Sequence, residues 1–208
     1  TMVEDTVKVE GIEKAAPVVT DLTEEEKRLA EAYDNYLKLF PRGEKSPDIL
    51  VAAGGLFYEH RQYERAKTYY KTLVTRFPDA KEKNLAFFSM MNTYFQLGQY
   101  VDAELVARKI IEMENIPEDK REVALKRISE SIHKNAEKLE QEENYVEAGY
   151  EYLRVFRDAT GDVQFVDLAL LKAGAAFDKA EQYNKAIEAY YLLADNFPKS
   201  KYAVPALE

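Results

Sequence analysis

The stretch "QYERAKTYYKTLVTRFPDA" at 62–80 returns, recast, as "QYNKAIEAYYLLADNFPKS" at 182–200. Both carry a Gln-Tyr pair, an Ala three residues on, a Tyr four residues beyond that, and then Phe-Pro. Tyr-x-x-Ala occurs twice more between them, so the copies fall at Tyr63/Ala66, Tyr100/Ala103, Tyr145/Ala148 and Tyr183/Ala186, spaced by 37, 45 and 38 residues. A period of this size marks a solenoid of helical hairpins, in which each unit buries its apolar face only by stacking on its neighbour. With Ala66 set at position 20 of a unit, Leu50, Gly54, Phe57, Tyr70 and Pro78 fall at positions 4, 8, 11, 24 and 32. The same count from Ala186 gives Leu170, Gly174, Phe177, Tyr190 and Pro198.

Physical chemistry explains the pattern. A small residue at position 8 lets two antiparallel helices cross closely, and the expected pairs are Gly54 with Ala66 and Gly174 with Ala186. Large residues at positions 4, 11 and 24 fill the space between hairpins. Proline ends the second helix, because it has no N–H to continue it. The second copy keeps Phe87, Tyr94 and Ala103 with Met91 at the glycine position, and the third keeps Ala136 and Tyr152 but ends in Thr160-Gly161.

Composition agrees with helices throughout. The 208 residues include eight glycines and seven prolines, are 46% hydrophobic, and leave no room for the turn residues that a hairpin-rich sheet needs. A net charge of −9 opposes nucleic acid and anionic bilayers. The absence of cysteine excludes disulfides and thiolate chemistry. No apolar run is long enough to span a bilayer, so no direct membrane insertion is expected.

Residues 1–20 read as a flexible lead-in. Residues 21–46, with "LAEAYDNYLKLFPRG" at 29–43, read as the second helix of an incomplete first repeat, and four repeats follow at about 47–80, 84–117, 118–161 and 167–200. The third opens with a long helix over 118–142 carrying Val123, Ile128, Ile132, Ala136 and Leu139 at helical spacing. The closing "KYAVPALE" at 201–208 either starts a further helix or ends in a non-native Leu-Glu, and the sequence reads as a fragment.

No catalytic constellation is legible, and neither a cofactor nor a metal site is expected. His60 and His133 lack a second ligand at a recognised spacing. The clusters "TEEEK" and "EQEEN" read as solvated helix ends, and "AAGG" at 52–55 lacks the lysine of a phosphate loop.

The register resembles the tetratricopeptide repeat family over about 47–200. That resemblance implies an all-α, right-handed superhelical solenoid of antiparallel helix pairs. It further implies a non-catalytic interaction scaffold whose first helices line a groove for a partner peptide or domain. Carried over position by position, the groove residues are Tyr58; Phe88, Asn92, Phe95 and Gln96; His133, Lys134 and Glu137; and Lys172, Asp178 and Lys179. The cationic ring of chaperone-binding members is absent, because position 5 holds Val51, Phe88, His133 and Leu171. "TRFPDAK" and "DNFPKSKYA" are similar to repeats of bacterial cell-envelope proteins of the Tol-Pal-associated coordinator and outer-membrane assembly lipoprotein type. They imply a periplasmic or outer-membrane-associated location, with a cytoplasmic one as the alternative. A regulatory or substrate-recruiting domain of a larger enzyme is the alternative function, and self-association through an open end of the array is a further expectation.

Overall fold

A computed structural model describes residues 18–114, 116–158 and 165–203. Residues 1–17 of the expected lead-in and residues 204–208 lie outside the described residues. Nine helices and no strand occur among those described. They are α1 (Glu24–Leu39), α2 (Ser46–Glu59), α3 (Tyr63–Arg76), α4 (Lys83–Gln96), α5 (Tyr100–Ile111), α6 (Glu118–Gln141), α7 (Tyr145–Asp158), α8 (Val166–Lys179) and α9 (Tyr183–Asn196). Each packs chiefly on its sequence neighbours, which makes the molecule an all-α solenoid of antiparallel helix pairs with one continuous apolar core.

Local chemistry sets the helix limits. Thr23 caps α1 by accepting from the Glu26 N–H, and the Glu26 carboxylate accepts from the Thr23 N–H in return, while Glu24, Glu25 and Glu26 face the positive end of the helix dipole. The second helices α1, α3 and α9 end alike at Phe-Pro, with Phe40, Phe77 and Phe197 at φ −128°, −129° and −129°, the extended backbone that a following proline imposes. Each of these joints then closes in the same way: Gly43, Ala80 and Ser200 donate back to the three Phe carbonyls.

The turn inside each hairpin is also a repeated device. Arg61, Gly98, Glu143 and Glu181 sit in the left-handed region (φ 58°, 68°, 61° and 57°). The next residue in each case, Gln62, Gln99, Asn144 or Gln182, donates its N–H five residues back, to Phe57, Tyr94, Leu139 or Phe177.

Three expectations are corrected. The ring that lies over Gly54 and Gly174 comes from position 24, not from the alanine at position 20: a Cβ at Gly54 would lie 2.5 Å from Tyr70, and one at Gly174 would overlap Tyr190. Thr20, inside the expected free lead-in, is tied down. Its N–H donates to the His60 carbonyl (3.1 Å), its hydroxyl meets His60 Nδ1 (3.1 Å), and its carbonyl accepts from the Gln62 amide (3.1 Å), because the turn after α2 presents unpaired polar groups there. Val123 is 48% exposed while its neighbour Ala124 is buried, so the apolar face of α6 runs one residue out of the expected phase.

Where the second and third repeats meet, a charge network replaces apolar packing. The buried Glu104 carboxylate of α5 accepts from Arg108 Nε (2.8 Å) and from Arg154 Nη2 of α7 (2.6 Å). Arg108 also donates to Asp158 (2.8 Å) and Arg154 to Glu151 (2.8 Å). Every charge in it has an opposite partner, which is the condition for burial to be tolerated.

Candidate partner-binding groove

The first helices α2, α4, α6 and α8 carry the expected groove residues, and the structure sorts these into two chemically different halves. In the N-terminal half, α4 is uncharged from Asn84 to Gln96. Leu85 is 55% exposed, Phe88 half-buried and Gln96 exposed along this helix. Tyr58 of α2 is half-buried, with its ring edge-on to Tyr63 at 5.2 Å, and burial pushes its hydroxyl pKa up. Leu85 was not among the expected site residues, although the family register at position 2 points to it.

Asn92 and Phe95 do not present free surfaces. The Arg127 guanidinium of α6 lies 4.0 Å from the Phe95 ring centroid, donates Nη2 to the Asn92 side-chain carbonyl (3.1 Å), and pairs Nη1 with Glu130 (3.1 Å). The opposite edge of Phe95 rests on Tyr100, with ring centroids 5.3 Å apart. Arg127 belongs to the ten residues by which α6 exceeds the 14 of α2, α4 and α8, and only the packing of that extension reveals its reach. From the same extension Lys120 approaches the Phe88 ring at 5.9 Å.

In the C-terminal half, His133, Glu137, Lys172 and Lys179 are drawn into one belt between α6 and α8. Glu137 is met by His133 Nε2 (3.3 Å), Lys134 Nζ (2.6 Å) and Lys172 Nζ (2.9 Å). The hydrogen bond from His133, joined by the two lysines against the cost of burial, holds its carboxyl well below the usual carboxylate range. Glu140 takes Lys179 Nζ (2.9 Å) and the Tyr152 hydroxyl (2.9 Å). Burial raises the Glu140 pKa, but these two donors outweigh it and leave it lowered. Burial and the neighbouring Glu140 push the Tyr152 hydroxyl upward. The His133 ring packs on Phe165 (5.0 Å) and Tyr152 (5.5 Å), with Nδ1 buried and without a hydrogen-bond partner. Asp178 accepts from the Tyr190 hydroxyl at 2.8 Å.

These charges are spent on one another. The half therefore joins the third repeat to the fourth and leaves no surplus of either sign for a ligand. Between the halves, a cleft of about 330 Å³ opens between the α4–α5 turn (Leu97, Gly98, Tyr100) and the end of α6 (Lys134, Glu137, Lys138, Gln141). Among the described residues no group of three or more His, Cys, Asp or Glu is placed to hold a metal, and no helix is long and apolar enough to cross a membrane.

The tetratricopeptide repeat family model matches residues 48–80 and 168–200, which are the hairpins α2–α3 and α8–α9. The chain thus carries tetratricopeptide repeats, and the two matched segments begin at the same register position. A comparison with curated proteins finds no match. Among solved structures the chain is similar to that described as "Crystal structure of YrrB: a TPR protein with an unusual peptide-binding site", at 20% identity, over 88% of this chain and 83% of that one, with a TM-score of 0.42.

Proposed function

We infer that this chain is a non-catalytic scaffold that holds a protein partner in the groove of its first helices, with the N-terminal half as the anchoring surface. The observation that carries this reading is the uncharged face of α4, where Leu85 stands 55% exposed beside half-buried Phe88 and exposed Gln96. Apolar side chains of a partner segment gain most where no charge must be desolvated, and an aromatic at the centre of such a patch anchors binding. Arg127 supplies a rim: its guanidinium covers Phe95 and Asn92, so these residues position the rim and do not bind the partner directly.

The test is a peptide-display selection against the folded chain, followed by affinities of the selected peptides for variants. Leu85→Glu and Phe88→Ala should each weaken capture tenfold or more, with the helical circular dichroism intact, whereas Lys172→Ala should leave it within about twofold. Equal binding by all three variants would place the partner elsewhere. A bacterial cell-envelope location is part of the same proposal, resting on the likeness of the two Phe-Pro segments to repeats of envelope proteins. Fractionation of the natural protein with the cytosol would overturn that part alone.

A further inference from the structure

Each second helix of the array covers its successor with the same three register positions, 17, 21 and 25, except where no successor is described. At position 21, Lys67 of α3 reaches Gln99 and the Tyr94 ring of the second repeat. Glu104 of α5 is buried in the network with α7, and Gly149 of α7 lies so close under Phe177 of α8 that a Cβ there would come within 2.7 Å of the ring. In α9 the same positions hold Tyr183, Ile187 and Tyr191, and they are 61%, 52% and 58% exposed. Spaced by four residues, they form one apolar stripe along the helix.

Beside the stripe runs a column of carboxylates. Glu181, Glu188 and Asp195 are seven residues apart, hence stacked at two-turn intervals, and all are exposed. Unlike the groove acids, none of the three is in an ion pair among the described residues. An apolar seam flanked by a charged column at heptad spacing is the arrangement by which one helix selects another of opposite flank charge.

We propose that this face of α9 is a second docking site, whose occupant is an amphipathic helix of another protein with an apolar stripe and a Lys/Arg column on one flank. Two observations favour that occupant. The seat continues the interfaces already present in the array, where a helix lies across these positions in each earlier repeat. The acidic column also disfavours a second copy of this chain: a two-fold axis across antiparallel α9 helices brings the Glu181–Glu188–Asp195 flank against itself, and like charges repel.

The site is separate from the groove, so its test is independent of the reading above. The probes are two helix-favouring synthetic peptides of 18 residues with identical Leu/Phe stripes, one carrying Lys and one Glu along the flank, titrated by fluorescence anisotropy against the 208-residue chain. The Lys peptide should bind, and the Glu peptide at least tenfold more weakly. Ile187→Lys, at an exposed position that leaves the core intact, should weaken the Lys peptide at least tenfold with unchanged circular dichroism, and Tyr191→Ser should do so independently. Glu188→Lys with Asp195→Lys should reverse the preference between the peptides, and Phe88→Ala should not affect either. Binding of neither peptide, or binding unaffected by Ile187→Lys, overturns the proposal. It also falls if sedimentation shows concentration-dependent dimers that Ile187→Lys abolishes, which would make the occupant a second copy. Tenfold tighter binding to a chain ending at Ala203 would make residues 204–208 the natural cover, and overturns it likewise.

Discussion

The outer hairpins and the second hairpin solve one packing problem in opposite ways. In α2–α3 and α8–α9 a glycine on the first helix receives a tyrosine ring from the second, Gly54 under Tyr70 and Gly174 under Tyr190. In α4–α5 the sizes are exchanged: Met91 is fully buried at the glycine position, and Ala107 stands where the tyrosine would be. Α third solution, Ala136 with Tyr152, lies between them, and both residues are fully buried. Volume is thus conserved across positions 8 and 24 while its source moves from one helix to the other. Close-packed interiors demand the total and tolerate the exchange.

The largest effect should come from violating that sum. Gly174→Met should destabilise the chain by about 3 kcal/mol or more, because the new side chain meets the Tyr190 ring and the backbone must shift. Adding Tyr190→Ala copies the second hairpin and should recover part of the loss. Denaturant melts of both single variants and the pair give the coupling, and strict additivity would show that positions 8 and 24 do not trade volume.

Met91→Ala removes the large partner without replacement and should cost about 2–4 kcal/mol. Met91→Gly with Ala107→Tyr should be the better tolerated change, despite altering two residues. A double variant less stable than Met91→Ala would confine the exchange to the outer hairpins.

Smaller effects distinguish glycines by surroundings. Gly55 adjoins Gly54 in sequence, yet a Cβ there meets nothing within 4 Å. Gly55→Ala should therefore stabilise by up to about 1 kcal/mol through helix propensity alone, while Gly54→Ala destabilises. In the hairpin turns, Glu181→Gly should add about 1 kcal/mol by relieving the left-handed backbone, and Gly98→Ala should subtract as much. Thermal melts showing Gly55→Ala and Gly54→Ala with the same sign would break the distinction.

The smallest test is by pH. Glu137 has its folded pKa depressed, so its contribution is present above the unfolded value of about 4.3 and is lost as pH falls through the folded one. Glu137→Gln should lower the melting temperature at pH 7, and its difference from the natural chain should shrink steadily below about pH 4. A constant difference across that range would mean that the carboxylate is not linked to folding.

Much of the architecture was legible because its signals are local. Phe-Pro at 40–41, 77–78 and 197–198 and Tyr-x-x-Ala at four places mark helix ends and starts directly, and the long helix expected over 118–142 is Glu118–Gln141. What escaped the sequence depends on contacts made at a distance. Arg127 covers Phe95 from 32 positions away in the chain, and nothing in "LKRIS" announces it. The left-handed turns at Arg61, Glu143 and Glu181 lack the glycine that would betray them, because the hydrogen bond five residues back holds the backbone there. Gly54 was recognised as a close crossing but assigned to Ala66, since size alone does not say which side chain fills a gap.

The extra turns of α6 change how the array comes apart. In a regular solenoid each hairpin touches only its neighbours, and opening spreads from the ends one unit at a time. Here Arg127 and Lys120 lean on α4, while Glu104, Arg108 and Arg154 tie α5 to α7. The second and third repeats therefore open as one cooperative block. Amide hydrogen exchange should show a common, slow opening from α4 to α7 and a faster, separate one in α9, so that the molecule frays at its end while its middle behaves as a single domain.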